Sequence, residues 1–192
     1  MHPEWHNAPV PSFGETSARL LIVGLAPGLN GANRTGRPFT GDYAGDLLYA
    51  TLLEFGFATG VYQARPDDTL VMRNAIISNA VRCVPPANKP ETSEISTCRQ
   101  FLIRTMDALP NLRAIVALGR IAHDSVVRAL GGPLARFPFK HGGEHIVSWP
   151  RGKLALFDSY HCSRYNTNTG VLTTDMFRAV FARTRAYLDE SA

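Results

Sequence analysis

Apolar residues along this chain follow two patterns that alternate. Short continuous runs, RLLIVGLAP at residues 19–27, NAIISNAV at 74–81, RAIVALG at 113–119 and KLALFDSY at 153–160, are of strand length. They show no polar alternation, as strands covered on both faces require. Helical spacing fills the intervals. In AGDLLYATLLEFGF, residues Leu47, Leu48, Thr51, Leu52 and Phe55 share one face, and Gly56 follows as a stop. ETSEISTCRQFLIRTMDAL has acids in its first turn and Pro110 after its end. A third helix runs from about Arg120 to Leu130 and is closed by two glycines, and TTDMFRAVFARTRAYL is a final amphipathic helix. Residues 132–152 read as an irregular insertion with one short strand.

Four strands alternating with helices predict a single three-layer α/β/α domain around a four-stranded, mainly parallel sheet. Residues 1–18, rich in proline and histidine without a period, read as an irregular N-terminal arm, and 19–192 as the domain. At 192 residues and 45% hydrophobic content, one core is the expectation. No apolar run approaches the roughly 20 residues of a membrane helix, and the N-terminus lacks the basic and apolar regions of a signal peptide. A cytoplasmic protein with no membrane partner is expected. The net charge of +4 slightly favours a polyanionic partner. Three cysteines, Cys83, Cys98 and Cys162, do not form a disulfide framework in a reducing compartment, which leaves burial or metal binding.

Three unusual loops each follow a predicted strand, so the topology gathers them at the carboxyl edge of the sheet, where such folds place their sites. They are GLAPGLNGANRTGRPFTGD at 24–42, NAVRCVPPANKP at 79–90 and SYHCSRYNTNTG at 159–170. The first is not a phosphate cradle. It matches neither G-x-G-x-x-G nor G-x-x-x-x-G-K-[ST], and Pro27 removes an N–H donor, so no nucleotide cofactor is expected. As a base pocket the loop reads better: Phe39 offers a stacking face, Arg34 and Arg37 suit DNA phosphates, and Asp42 can orient or activate a water. Phe39 as core and Asp42 as a helix cap are the structural alternatives. In the third loop, His161 can donate to a carbonyl or stabilise developing negative charge. The polar run Ser163, Arg164 and Asn166 onward suits a phosphodiester backbone, or a turn that caps the last helix. Cys83 and Cys98 alone do not make a metal motif.

Taken in order, the three loops closely resemble the motifs of the family 5, or B-type, uracil-DNA glycosylases, and the resemblance spans nearly the whole chain. It implies an α/β/α base-excision repair enzyme that flips a damaged base out of DNA and hydrolyses its N-glycosidic bond, leaving an abasic site. It places Gly24, Ala26, Pro27, Gly28 and Asp42 at the reaction centre, with Phe39 stacking on the base. Asn79 resembles the base-reading asparagine of the superfamily, with Asn88 as a neighbour, and His161 the histidine that contacts the base O2.

Two departures from the family pattern carry consequences. Ala26 and Pro27 stand where a water-activating residue is often found, which shifts that role to Asp42 or to leaving-group stabilisation. Apolar residues there also widen the expected substrates from uracil to hypoxanthine and modified pyrimidines. The second concerns metal: relatives carry an N-terminal C-x-x-C which, with cysteines at positions like Cys83 and Cys98, holds a 4Fe-4S cluster. The chain begins downstream of such a segment, so either the natural start lies upstream or two ligands are lost. With no lysine in the three loops apart from Lys89, a monofunctional enzyme is expected, acting as a monomer on DNA. The alternatives are a catalytically weak damaged-DNA binder that lost its cluster, or an unrelated nucleotide-binding enzyme.

Overall fold

The alternation of buried runs and amphipathic segments produces sixteen elements in the computed structural model if two short 3-10 turns are included; the model describes residues 2–191, apart from the side chain of Asn88. In chain order they include β1 (Phe13–Gly14), β2 (Leu20–Gly24), α1 (Ala32–Thr35), α2 (Tyr43–Glu54), β3 (Ala58–Thr59), β4 (Val71–Met72) and β5 (Ala75–Asn79). There follow α3 (Thr92–Asp107), β6 (Ala114–Leu118), α4 (Arg120–Ala129), β7 (Glu144–Trp149), β8 (Gly152–Ser159), α5 (Arg164–Asn168) and α6 (Thr174–Glu190).

The main sheet has the order β1-β5-β2-β6-β8-β7. Its four middle strands are parallel, as the apolar runs predict, but the sheet has six strands rather than four. Both additions are antiparallel edges. β1 comes from the N-terminal arm and pairs Phe13 with Ile77, so that the arm is irregular only in part. β7 comes from the 132–152 insertion and forms a hairpin with β8, pairing Trp149 with Gly152. Edge strands lack the uninterrupted apolar run, because one side of the sheet at each edge is less covered; β7 is largely exposed or half-buried. β3 and β4 form a separate two-stranded ribbon.

Alternate residues of the parallel strands feed two cores. Leu20, Ile22, Ala75, Ile77, Val116 and Phe157 face Leu48 and Leu52 of α2 and Phe177 and Phe181 of α6. Leu21, Val23, Ile76, Ile115 and Leu156 face Leu102 and Met106 of α3 and Val126 of α4. Sequential strands after β2 go first to one side of it and then to the other, so β2 stands at the switch of direction, where a crevice opens beyond the carboxyl ends. Gly24 ends β2 at that crevice, directly paired with Asn79 at the end of β5.

Candidate active site

Beyond the strand ends, the first loop turns back over the sheet because Gly24 has no side chain. A Cβ there would overlap both Asn79 Oδ1 and the Phe39 ring. Phe39 is held with φ of 53°, a conformation that L-residues rarely adopt, and its ring lies 5.9 Å from that of His161 at 27° between planes. The result is a cavity of about 30 Å³ lined by Ala26, Gly28, Ala32, Phe39, Asp42, Ala44, Asn79 and His161. It adjoins an outer cleft of about 430 Å³ that shares Ala26, Gly28, Asp42, Ala44 and His161 and adds Pro27, Tyr43, Ser163 and Arg164.

Asp42 unites the two readings of it. Its Oδ1 accepts from the Gly45 N–H at 3.3 Å as N-cap of α2. Oδ2 lies against the glycine turn, where a Cβ on Gly31 would overlap it. Cap and pocket wall are thus two oxygens of one carboxylate. Burial raises its pKa above the ordinary carboxylate value, against the lowering effect of the Gly45 and Ala44 N–H groups. His161 follows β8, and Asn166 Nδ2 donates to its backbone carbonyl at 2.8 Å. Burial pushes the imidazole down to about 4, so at neutral pH it is uncharged, with one ring nitrogen donating and the other accepting. Asn79 is buried, and its Oδ1 has no hydrogen-bond partner among the described residues. An unpaired buried amide oxygen is costly, and Asn79 is one of the residues that line this cavity.

The remaining predicted residues divide. Ser163 caps α5, accepting from Asn166 N, while its residue also lines the outer cleft. Arg164 is exposed on the cleft rim with its guanidinium 5.3 Å over the Tyr43 ring. Arg34 is exposed, its Nε donating to Asn30 O at 2.9 Å, and it lines neither cavity. The side chain of Asn88 lies outside the described residues. Arg37 is a correction: it is not free for DNA phosphates. It is buried and makes a two-pronged ion pair with Asp68 at 2.7 and 2.8 Å, with Nε donating to Thr40 Oγ1. Its guanidinium lies 5.0 Å over Phe13. That pair holds the Asp68 carboxyl down to about 2. The spacing of Arg37 within a basic loop gave no hint of this, because its acid lies in the distant 62–70 segment.

Cys83 is exposed, Cys98 half-buried on α3, and the Cys83 thiol is raised by burial and by the neighbouring Cys98 and Glu94. Cys162 is buried elsewhere, with Sγ donating to Ala44 O. Two thiols are half of a four-thiolate set, so the described residues do not complete a 4Fe-4S site, and the inner cavity takes no lining residue from that corner.

Sequence reading missed Ala32, Tyr43 and Ala44, whose pocket role follows from the loop turning over the start of α2. It also missed a buried cluster beside β8. His123 Nε2 donates to Phe137 O at 2.8 Å, and its Nδ1 is hydrogen-bonded with Asp158 Oδ1 at 2.7 Å. Burial opposes protonation of this ring, but Asp158 raises its pKa overall. His145 Nε2 stands 3.4 Å from the other Asp158 oxygen. This clasp ties the 132–152 insertion to β8, the strand that precedes His161, and no local motif announces it.

An α/β/α sheet whose carboxyl edge holds an aromatic ring, an open amide, an uncharged imidazole and a carboxylate defines a domain built to receive a small planar polar ring. Comparison with known proteins narrows this class. The sequence model of the uracil DNA glycosylase superfamily matches residues 11–185. A type-5 uracil-DNA glycosylase of Thermus thermophilus is 44% identical over 178 residues, covering 93% of this chain and 79% of that protein. Its counterpart in Pyrobaculum aerophilum is 39% identical over 93% of this chain and 76% of its own length. A type-4 uracil-DNA glycosylase of Sulfurisphaera tokodaii is 29% identical over 89% of this chain and 72% of its own. The chain belongs to the uracil-DNA glycosylase superfamily, in its type-5 branch.

Proposed function

We infer that this protein is a uracil-DNA glycosylase of base-excision repair, which hydrolyses the N-glycosidic bond of uracil in DNA and leaves an abasic site. The observation that carries the assignment of roles is that one cavity is lined by Asn79, whose Oδ1 has no partner among the described residues, an uncharged His161 and the carboxylate of Asp42. Asn79 Oδ1 accepts from the uracil N3–H, a donor that thymine shares, and its Nδ2 donates to O4. Phe39, which lines the same cavity, presents its ring to the base.

Bond cleavage sends the electron pair to uracil N1, and the negative charge spreads to O2, where the neutral His161 N–H stabilises it. A neutral donor suits this task, since an anionic leaving group needs a hydrogen bond rather than a full proton. The sugar meanwhile gains positive character, which Asp42 stabilises when ionised. Water adds to C1′, and its proton passes to Asp42 or solvent. No cavity-lining residue is a lysine, in keeping with hydrolysis alone.

Ala26 and Gly28 add no polar side chain to the cavity, which supports acceptance of hypoxanthine besides uracil. Tyr165 is 74% exposed next to the cleft-lining Arg164 and fits the role of wedge in the space left by the flipped base. Incubation with a uracil-containing duplex followed by alkali tests the reading: strand scission with the parent protein, lost in His161→Ala, is expected. Binding without scission would instead make this a damaged-DNA binder, and the same assay on hypoxanthine tests the broader substrate range.

A further inference from the structure

A second cavity, of about 340 Å³, lies on the other side of His161. Leu25, Leu118 and Ile121 form apolar walls, Phe139 and Tyr160 supply aromatic rings with centroids 6.1 Å apart, and Asn166 stands at the His161 junction. The excision chemistry above uses none of this space.

Its surroundings select an occupant. Leu25 and His161 line both this cavity and the outer cleft, so a DNA strand that delivers uracil to His161 passes its mouth. Arg120, exposed at that mouth, holds its guanidinium 5.3 Å over the Phe139 ring, placing a positive charge where a phosphate accompanies an inserted base. On the far side, Ile121 is shared with a smaller cavity containing Arg99 and Arg128, in which Ser125 Oγ and Arg99 Nε are buried without partners among the described residues. Apolar walls with aromatic faces, flanked at both ends by arginine, match a nucleobase attached to a phosphodiester chain better than a free anion or a simple apolar ligand.

We propose that this cavity receives a second, unstacked base: the nucleotide next to the flipped uracil on the same strand. The proposal rests on the glycosylase reading of the neighbouring site. Every base has a π-face, so such a subsite tolerates sequence while grasping the strand, and it favours single-stranded or locally melted DNA, where the neighbour is free to turn in. The aromatic contact belongs to Phe139, on the insertion that the His123–Asp158 clasp ties down through Phe137 O.

A binding cycle tests this without relying on turnover. Oligonucleotides carrying the uncleavable 2′-fluoro-2′-deoxyuridine are prepared with a normal neighbour or with a tetrahydrofuran abasic residue on the 5′ or the 3′ side, and their Kd values are measured by fluorescence anisotropy. On one side, loss of the neighbouring base is expected to weaken binding roughly tenfold in the parent protein and to have no effect in Phe139→Ala, so that the two changes are coupled. Phe139→Leu, which keeps the apolar bulk, is expected to lose the same coupling and guards against a folding defect. Independent effects of the two changes on both sides overturn the proposal. Release of uracil from the parent deoxyuridine strand is followed in parallel, and failure there overturns the glycosylase reading while the binding cycle still reports on the cavity.

Discussion

Arg37 and Asp42 sit in the same glycine-rich loop, both polar and both withdrawn from solvent, yet they end in opposite circumstances. Around Arg37 every strong group is answered: Asp68 takes two N–H groups, Thr40 takes Nε, and Asp68 also accepts from the Gln63 and Leu70 N–H groups. Around Asp42 the groups are left open. Among the described residues Asn79 Oδ1 has no partner and His161 makes no side-chain hydrogen bond, and one Asp42 oxygen lies against the glycine turn. A closed buried network holds a loop in place; an open one costs stability and is kept where a ligand completes it.

The comparison can be broken at either end. The largest effect is expected from Arg37→Ala, which strands the Asp68 carboxylate and should lower stability by about 3–5 kcal/mol in urea denaturation. Unchanged stability with weakened DNA binding would return Arg37 to a phosphate-contacting role. Next come His161→Ala and Asn79→Ala, each expected to slow single-turnover uracil release by roughly 10²–10³-fold, as loss of one preorganised donor does elsewhere. Their denaturation midpoints should stay near the parent's, because neither side chain is part of a satisfied network.

Asp42→Asn sharpens the contrast within one side chain. Its folded-state pKa is raised, so the carboxyl's contribution to stability is present below the unfolded value and is lost as pH rises through the folded one. The neutral variant keeps an oxygen for the Gly45 N–H. It should therefore be more stable than the parent at pH 7, with the gap closing on acidification, while uracil release slows. His161 runs the other way: its pKa is depressed to about 4, so its contribution is present above about 6.5 and fades as pH falls toward 4. Imidazole NMR should find its ring uncharged at pH 6, and a midpoint near 6.5 would place it in a wetter site. The smallest effect is expected from Arg34→Ala and Arg164→Ala, each reducing the salt slope of DNA binding by about one with little change in stability.

Much of this architecture was legible because it is local. Continuous apolar runs mark the four parallel strands, since a strand covered on both faces leaves no polar position. The edges were harder: Phe13–Gly14 is too short to show a period, and Glu144–Trp149 mixes exposed and buried positions. Within the site, the motif residues Asp42, Asn79 and His161 came from loops that follow strands, so topology alone foretold their meeting. The roles of Arg37 and of the His123–Asp158 pair were hidden, because each depends on a partner 31 or 35 residues away.

By itself, then, the order of residues determined the layered α/β/α plan, the edge on which the loops converge and the family to which they belong, because periodicity and strand-end motifs are properties of short stretches. Only the tertiary structure decided which polar groups are spent on holding the loops and which remain open. That division depends on hydrogen-bond partners supplied from elsewhere in the chain. Asp42 shows it most directly: one oxygen caps a helix and the other lies against the glycine turn, a distinction between two atoms that no residue letter carries.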